Sequence, residues 1–341
     1  LIYPKSNVML LYGNRQDGYS YKGPSNSLQG YIPIGLWEGV GGCESGFAQP
    51  DPFDNNIVWS GCYDGGLERY DSRTGHSRDV RVWPEAGYGW APADMKYRWF
   101  WNFPLEFSPH KKHRVYVGSQ FVHKSDDDGQ SWQVISPDLF LEYSKNNLEG
   151  VLTVLVESPL NSDLLIAGGN NAEVFLTLDK GETWTNANEG LLSHLKLTSI
   201  VPSKFNKDRV YITLNDYNHD DASPYVYVSN DLCKTWQLIS NNLPTEATHI
   251  IAEDSDEENI LYLGTDLGVY VSVDRGNNWM SLSTKLPSIA TQDLVIHPER
   301  DELIIATHGR SMYALDVRPI RMLNKLQSQK EAYLFPVKDG R

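Results

Sequence analysis

Short apolar runs with alternating apolar and polar positions recur along the whole chain, and polar turns separate them. Their length and their β-branched and aromatic residues favour strands over helices. Seven of these runs end in a small residue, and successive ends are 48, 57, 50, 45, 51 and 42 residues apart. A four-stranded propeller blade takes about 40–50 residues. The pattern therefore predicts seven blades, whose second strands end at Gly13, Gly61, Gly118, Gly168, Thr213, Gly264 and Ala306.

Each second strand should follow the innermost strand of its blade and precede a third strand. The third strands are predicted at FVHKS, VFLT, YVYVS and VYVS, and each of them runs into a turn motif. No segment has a sustained helical period, although the tail 321–330 is expected to form a short surface helix. The innermost strands are predicted at 41–48, 100–107, 151–157, 197–202, 248–253 and 292–297.

The turn motif has the form Ser/Thr-x-Asp-x-Gly-x-Ser/Thr-Trp. Gly supplies a positive φ angle, Asp accepts hydrogen bonds from nearby backbone N–H groups, and Trp covers the turn with an apolar face. The third copy has Cys233 in place of Gly, so we expect its turn to be built differently, and the fourth has Asn278 in place of Ser/Thr. The residues expected to build the turns are Asp127, Gly129, Trp132, Asp179, Gly181, Trp184, Asp231, Trp236, Asp274, Gly276 and Trp279.

This motif resembles the Asp box of BNR-repeat propellers, which include sialidases, sortilin-like ectodomains and two-propeller xyloglucan-cleaving glycosidases. The resemblance implies an all-β, seven-bladed propeller with Asp-box hairpins on its outer rim. Further stretches are similar to sortilin-like or BNR-repeat proteins of exported bacterial polypeptides, which are often labelled glycosyl hydrolases. Those proteins are typically longer, so the resemblance implies one propeller of a larger protein. The similar stretches are VGGCESG, GGLERYDSRTG, DMKYRWFWNFP, FSPHKKHRVYVGS and ATHGRSMYALD.

The repeat runs without a linker rich in Pro, Gly or Ser. This predicts a single propeller over residues 1–341, in which 317–341 closes the ring or links to a further segment. The first unit has no strand before residues 1–4, and the last unit lacks the turn motif. Ring closure then needs a strand from elsewhere, and YLFPV (333–337) is the candidate.

Charge and hydropathy exclude some partners. The chain has 30 basic and 44 acidic residues and a net charge of −14, which argues against nucleic acid or an anionic membrane surface as partner. No run of 18 apolar residues is present, so no membrane insertion is expected. Together with the architecture, this predicts a secreted, cell-surface or periplasmic protein whose signal peptide is removed or lies upstream.

Two of the three cysteines, Cys43 and Cys62, flank a predicted hairpin with its turn at 51–56. The expected register would place Gln49 opposite Asn56, and the two cysteines nearly opposite each other. Two alternatives fit this spacing, a disulfide or a pair of buried thiols beside small residues. Cys233 stays free in either case.

Carboxyl groups are the first candidates for chemistry. Glycosidases need two of them on either side of the scissile bond, one with a raised pKa. Glu44 lies in the Gly-rich segment GGCESG, where small neighbours leave space for a ligand, and Asp64 follows in CYDGG. Glu157 and Glu253 end innermost strands. The alternative is that Glu44 is a buried acid that only satisfies a neighbouring strand or a water molecule.

A second group of candidates consists of Asp266 in GTDLG and of His308 and Arg310 in THGRS. His and Arg at such a turn could bind a carboxylate or phosphate group of a ligand. The alternative is an ion pair through Arg310 that joins adjacent blades. The loop NDYNHDD (215–221) offers oxygen ligands for calcium but lacks the spacing of a calcium loop, so a solvated loop is favoured and no cofactor is predicted.

The aromatic stretch 83–101 is the longest departure from the repeat. Trp90, Tyr97, Trp99 and Trp101 are predicted to form a sugar-stacking or protein-docking surface. Alternation places Phe100 in the core of a blade instead.

Taken together, these features predict a non-catalytic recognition propeller that binds a peptide, a protein or a polysaccharide. One alternative is half of a two-propeller glycoside hydrolase, with Glu44 or Asp64 as the local catalytic carboxylate. Another is a structural spacer. A sialidase is disfavoured, because no Arg-Ile-Pro element stands before the first turn motif.

Overall fold

The computed structural model describes residues 9–27, 29, 31–85, 87, 89–91, 94–141, 150–297, 299–325 and 335. The fold is an all-β propeller with seven antiparallel sheets, which confirms the predicted seven blades. Each sheet is built from strands that follow one another along the chain, so every connection within a blade is a short turn. In the described part of the chain, no helix is long and apolar enough to cross a membrane.

The first four sheets contain the following strands, in chain order. The first has β1 (Leu10–Asn14), β2 (Ser20–Pro24) and β3 (Glu38–Gly39), and the second has β4 (Ala48–Pro50), β5 (Ile57–Cys62), β6 (Gly66–Asp71) and β7 (His76–Asp79). The third has β8 (Leu105–Phe107), β9 (Val115–Gly118), β10 (Val122–Ser125) and β11 (Gln133–Val134). The fourth has β12 (Leu152–Glu157), β13 (Leu165–Gly169), β14 (Val174–Thr177) and β15 (Thr185–Asn186).

The remaining sheets follow the same order. The fifth has β16 (Lys196–Pro202), β17 (Val210–Asp216), β18 (Asp221–Ser229) and β19 (Gln237–Leu238), and the sixth has β20 (Thr248–Glu253), β21 (Leu261–Thr265), β22 (Val269–Ser272) and β23 (Met280–Ser281). The seventh has β24 (Thr291–His297), β25 (Glu302–Thr307) and β26 (Met312–Asp316). Helical segments of the described part of the chain include 3-10 turns at Ile34–Leu36, Tyr217–His219 and Ser283–Lys285, and helix α1 at Arg318–Lys325.

Contacts divide the chain into two compact units. Unit 1 holds the described residues up to Val210 together with Ser229–Trp236, and unit 2 holds Tyr211–Val228 and the described residues from Gln237 onward. In unit 1, apolar side chains of neighbouring sheets form a core around Trp59, Phe103 and Val117. In unit 2 the core lies around Tyr262, Leu303 and Val317. The predicted single domain over 1–341 stays a prediction.

The predicted second and third strands are confirmed, and four of the six innermost strands lie within one residue of their predicted bounds. Two predictions are wrong. The innermost strand of the second sheet is β4, so most of 41–48 is a loop, and that of the third sheet is β8, so 100–104 is a loop. Gln49 pairs with Trp59, not with Asn56. The candidate closing strand 333–337 lies outside the described residues, apart from residue 335.

The four predicted turns, here called the Asp turns (125–132, 177–184, 229–236 and 272–279), share one hydrogen-bond geometry. In the first, the Ser125 hydroxyl donates to Asp127 at 2.8 Å and accepts from the Gly129 N–H at 2.9 Å, while the Ser131 N–H donates to Asp127 at 2.9 Å. In the fourth, Asn278 takes the place of the hydroxyl residue and donates through Nδ2 to Asp274 at 2.7 Å. Side chains thus satisfy the backbone donors of the turn.

The expectation that the third Asp turn is built differently is wrong. Cys233 adopts the positive φ of 61° that glycine takes elsewhere, and its N–H donates to the Ser229 hydroxyl at 2.9 Å, as in the other turns. Cys233 is buried, and burial, with a smaller contribution from the charge of Asp231, raises the pKa of its thiol to about 12. The third Asp turn therefore keeps the hydrogen-bond geometry of the other three, with a buried, unreactive cysteine in place of glycine.

The tryptophan of each Asp turn also bonds the preceding blade. Trp132 Nε1 donates to the Val80 carbonyl at 2.9 Å, just after the outermost strand of the second sheet. The other three make the same bond at 2.7–2.8 Å, to Ile135, Ala187 and Ile239. The Asp turns therefore join each blade to its predecessor as well as closing a hairpin.

Helix α1 begins three residues before the predicted surface helix, and one of its side chains is buried rather than exposed. Arg321 is 8% exposed and bonds the wholly buried Asp254 through Nε at 2.9 Å, with further contacts to Asp301 and Asp256 at 2.5 and 2.6 Å. The helix is thereby attached to the sixth and seventh sheets of unit 2.

Candidate functional site

Glu44 lies in a loop of unit 1 rather than in an innermost strand. The loop leads into β4 and turns at Gly41, Gly42 and Gly46, which have positive φ angles of 84°, 63° and 80°. Oε2 of Glu44 accepts hydrogen bonds from Gln16 Nε2 at 2.9 Å and from the Asp17 N–H at 2.8 Å. Glu44 therefore anchors the turn between β1 and β2.

Asp64 lies at the tip of the tight turn between β5 and β6, as expected. Asp64 and Gly65 both have positive φ, 56° and 72°, which is typical of a two-residue hairpin turn. The side chain is exposed at the surface, yet the backbone of Gly87 packs so closely on its carboxyl group that a Cβ there would lie 2.6 Å from Asp64 Cγ. Partial burial raises the pKa of Asp64 above its ordinary value.

A disulfide joins the two loops that carry these acids. Cys43 and Cys62 are bonded, with their Cα atoms 5.0 Å apart, so of the two alternatives the disulfide is the one found. Glu44 directly follows Cys43, and Asp64 lies two residues after Cys62. The disulfide thus holds the Glu44 loop beside the β5–β6 turn.

The aromatic insertion 83–104 packs across unit 1 and is attached at several points. The buried Arg98 pairs with Asp138 at 3.3 Å, and the Asn102 side chain accepts from the Gly46 N–H at 2.9 Å. The prediction that Phe100 lies in the core of a blade is wrong. Phe100 is half-buried, and the ammonium group of Lys196 lies 4.7 Å from the centroid of its ring. Burial lowers the pKa of Lys196.

Tyr97 and Trp99, two of the four aromatic candidates of this insertion, pack around a buried histidine. Tyr97 and Trp99 surround the buried His123, with ring centroids 4.6 and 5.6 Å from the imidazole, and Trp99 also packs on Phe103. Burial and the charge of Lys96 lower the pKa of His123 to about 3, so it is neutral at physiological pH. A ligand-binding role for Tyr97 and Trp99 stays a prediction.

Trp101 and Trp90 are the exposed members of the set, at 47% and 65%. Trp101 stacks on Tyr63, with centroids 5.3 Å apart and planes at 16°. We call the stacked pair of Tyr63 and Trp101 the aromatic platform; Tyr63 belongs to the β5–β6 turn and Trp101 to the insertion. Sequence reasoning missed Tyr63, although its position beside Asp64 in CYDGG could have indicated it.

A cavity of about 320 Å³ opens beside the platform. Three carboxylates face it, Asp64 from the β5–β6 turn, Glu68 from β6 and Glu85 from the insertion, and we call it the acidic pocket. Its remaining wall is built by Gly42, Cys62, Tyr63, Gly66, Leu67, Arg81 and Gly87. Glycine backbone and the disulfide leave the space that side chains would otherwise fill.

The candidates of unit 2 lie on its turns. Asp266 follows β21 and accepts from His249 Nε2 at 2.6 Å, so its partner is a half-buried histidine that sequence reasoning did not single out. His308 and Arg310 are exposed on the turn between β25 and β26, and within the described residues neither forms an ion pair. A binding role for these three residues stays a prediction.

The loop 215–221 uses its polar groups internally. Asn215 Nδ2 donates to the Thr248 carbonyl at 2.9 Å, and Asp216 bonds His219 Nδ1 at 2.5 Å within the 3-10 turn. Among the described residues, no cluster of three or more His, Cys, Asp or Glu side chains is arranged to hold a metal ion.

The family comparison agrees with this architecture. Residues 224–330 match the family model described as "Sortilin-Vps10: Sortilin, neurotensin receptor 3". Over these residues, which are less than half of the chain, the β-propeller is sortilin-like. No curated protein sequence matches it.

Solved structures with the same fold include enzymes and extracellular domains. The sortilin-like propeller superposes on the GH74 xyloglucanase of Xanthomonas campestris with a TM-score of 0.66 and 16% identity, covering 93% of this chain and 51% of the other. It superposes on a GH74 enzyme of Niastella koreensis with a TM-score of 0.64 and 14% identity, covering 89% of this chain and 50% of the other. It superposes on the extracellular domain of a hybrid two-component system of B. thetaiotaomicron with a TM-score of 0.55 and 10% identity, covering 92% of this chain and 38% of the other. The chain thus spans about half the length of the GH74 proteins.

Proposed function

We propose that this sortilin-like propeller is a non-catalytic recognition domain of an exported protein, and that it binds a peptide or a glycan at the aromatic platform and the acidic pocket. The observation that carries the proposal is the stack of the exposed Trp101 on the half-buried Tyr63, which itself lines a cavity with three carboxylates. Stacked, exposed aromatic faces next to a few convergent polar groups are typical of ligand sites.

Rigid support of the platform favours recognition. The disulfide, the bond from Gly46 to Asn102 and the buried pair of Arg98 and Asp138 hold the surrounding loops in place through contacts within the fold. A site ordered in advance loses less conformational entropy on binding. The disulfide is also typical of exported proteins, which supports a secreted, cell-surface or periplasmic location.

Glu44 supports recognition over catalysis. A glycosidase carboxylate must be free to approach the glycosidic oxygen or the anomeric carbon. Oε2 of Glu44 instead accepts two hydrogen bonds from the β1–β2 turn. We therefore assign Glu44 a positioning role for the loop beside the platform.

The second candidate function is one half of a two-propeller glycoside hydrolase. The fold similarity to GH74 proteins, over about half of their length, favours it. In that case Asp64, whose pKa is raised, would be the local acid, and a further propeller would have to supply the other carboxylate.

Binding measurements test the proposal directly. Calorimetric titration with panels of peptides and oligosaccharides should identify a ligand whose affinity falls about tenfold in Trp101→Ala and Tyr63→Ala. The reason is that packing of a ligand on an aromatic ring contributes roughly 1 kcal/mol or more to binding. Phe205→Ala, an exposed aromatic residue (39%) on a different turn of unit 1, is the matched control. Equal loss in all three variants would contradict a specific platform.

Reducing-sugar release separates the two functions. Wild type, Asp64→Asn and Glu44→Gln are incubated with plant and algal polysaccharides. We expect no release from any of them. Release by the wild type that disappears in Asp64→Asn would make the hydrolase the better description.

A further inference from the structure

The acidic pocket has a graded depth. Asp64 is exposed at its rim, whereas Glu68 and Glu85 are half-buried in its walls. Among the described residues, both acids accept from backbone N–H groups: Glu68 from Gly42 at 3.3 Å and Glu85 from Lys96 at 3.1 Å. Neutral donors leave the full negative charge of these carboxylates in place.

Arg81, the basic residue among the described residues of the pocket wall, is already paired. Arg81 Nε bonds the two oxygens of Asp79 at 2.7 and 3.0 Å, so its charge is compensated by an acid outside the pocket. The ammonium group of the nearby Lys96 lies over the ring of Trp83, 3.3 Å from the centroid. The pocket itself thus keeps an excess of negative charge.

An aromatic wall adds to this charge. Tyr63 lines the pocket, and the ring of Trp101 stacks on it with centroids 5.3 Å apart. Aromatic faces attract cations, guanidinium groups above all, and the attraction strengthens where water is partly excluded. The same wall can cover the methylene stem of a long basic side chain.

We propose that the acidic pocket binds the guanidinium or ammonium group of a basic side chain in a peptide ligand, and this deepens the proposed recognition function and rests on it. A cavity of about 320 Å³ accommodates one such side chain. Its stem would lie along Tyr63 and its charged end would reach Glu68 and Glu85, below the rim at Asp64. An amino sugar carries its ammonium group directly on a bulky ring, so it reaches these carboxylates less well.

Titration with short peptides tests the inference. Tri-arginine and its citrulline analogue, which has the same shape without the charge, are titrated into the wild type and into Asp64→Asn, Glu68→Gln and Glu85→Gln. Glu182→Gln, an exposed acid on the second Asp turn, is the matched control. We expect tri-arginine to bind, and each pocket variant to weaken its binding about tenfold, as for loss of a charge-assisted hydrogen bond. The citrulline analogue and the control should show no such effect.

Three results would overturn the inference. Equal affinity for tri-arginine and its citrulline analogue would exclude recognition of charge, and equal weakening by Glu182→Gln would reduce it to general attraction by the net charge of −14. A glucosamine tetramer that binds more tightly at the pocket than tri-arginine would replace the peptide by an amino sugar. Glu68→Gln changes the acceptor of the Gly42 N–H, so thermal unfolding checks that this variant is folded. If it is not folded, Asp64→Asn takes its place as the test of the pocket.

The failure of this inference is distinguishable from that of the proposed function. If an uncharged ligand binds, loses affinity in Trp101→Ala and is unaffected by the pocket variants, the recognition domain stands and the cationic ligand is wrong. If neither platform nor pocket variants affect any ligand, both are wrong.

Discussion

At the scale of single residues, the third Asp turn accommodates Cys233 at the glycine position because its neighbour in the preceding blade is small. A Cβ added to the glycine of the first or the fourth Asp turn would lie 2.8 or 2.6 Å from a side-chain atom of a large residue there, and in the second turn 3.1 Å from one. In the third turn the equivalent residue, which accepts the tryptophan bond, is a buried alanine. The smaller side chain leaves the space that Cys233 fills. The large equivalents are Val80, Ile135 and Ile239.

We therefore expect Ala187→Ile to destabilise the propeller by about 1–3 kcal/mol through overpacking against Cys233. Cys233→Gly in the same chain should restore most of that loss, because it recreates the Gly–Ile pair of the second and fourth Asp turns. Chemical unfolding of the two single variants and the double variant measures the coupling. Additive effects would show that the two side chains do not share this space.

At the scale of elements, the disulfide between Cys43 and Cys62 joins the Glu44 loop to the end of β5, where the Cys43 N–H also donates to the Gly61 carbonyl at 3.2 Å. It closes a loop over 19 positions of the sequence. Cys43→Ser/Cys62→Ser should lower the free energy of unfolding by about 3 kcal/mol. The double variant should also lower the affinity of the aromatic platform for its ligands, since Glu44 and Tyr63 adjoin the two cysteines. Calorimetry and denaturant unfolding measure the two effects.

A reducing agent supplies the control for this variant. Reduction should affect the wild type and leave the double variant unchanged, because the latter has no disulfide to lose. If the reduced wild type kept the stability of the oxidised protein, the disulfide would have no role in holding the site.

At the scale of the whole molecule, buried titratable groups act in opposite directions on stability. Burial, with a smaller contribution from the charge of Glu157, raises the pKa of Glu106 to about 8. The folded state then holds a proton that the unfolded state loses near pH 4.5, so the stability contribution of Glu106 falls as pH rises from about 4.5 to about 8. His123, with its pKa lowered to about 3, contributes stability that falls as pH drops from about 6.5 to about 3.

The two contributions separate in difference measurements. The free energy of unfolding of the wild type minus that of Glu106→Gln should decrease between pH 4.5 and 8, with an upper limit of about 5 kcal/mol from the size of the shift. His123→Gln should give a difference that increases over the lower part of this range. A flat difference for Glu106→Gln would show that its carboxyl group is solvated in the folded state.

The repeat could be predicted because its physical cause is local. Strand alternation, the small residues that end the second strands and the Asp turns are patterns within a few residues, and the structure confirms the strands that they indicate. The segments 41–47 and 100–104 could not be predicted as loops, because their apolar residues pack on distant partners. Phe100 meets Lys196 and the Glu44 loop meets Cys62 only after folding.

The sequence by itself thus determined the blades, their turns and an acidic, tryptophan-rich chain, since these depend on composition and short-range periodicity. Only the tertiary structure decided which of the candidate residues meet. Tyr63 and Asp64 come from one turn, Glu68 from a strand and Glu85 from the insertion, and they line one cavity, while Trp101 of the insertion stacks on Tyr63. Their contacts depend on the register of antiparallel strands and on one disulfide, neither of which a short pattern specifies.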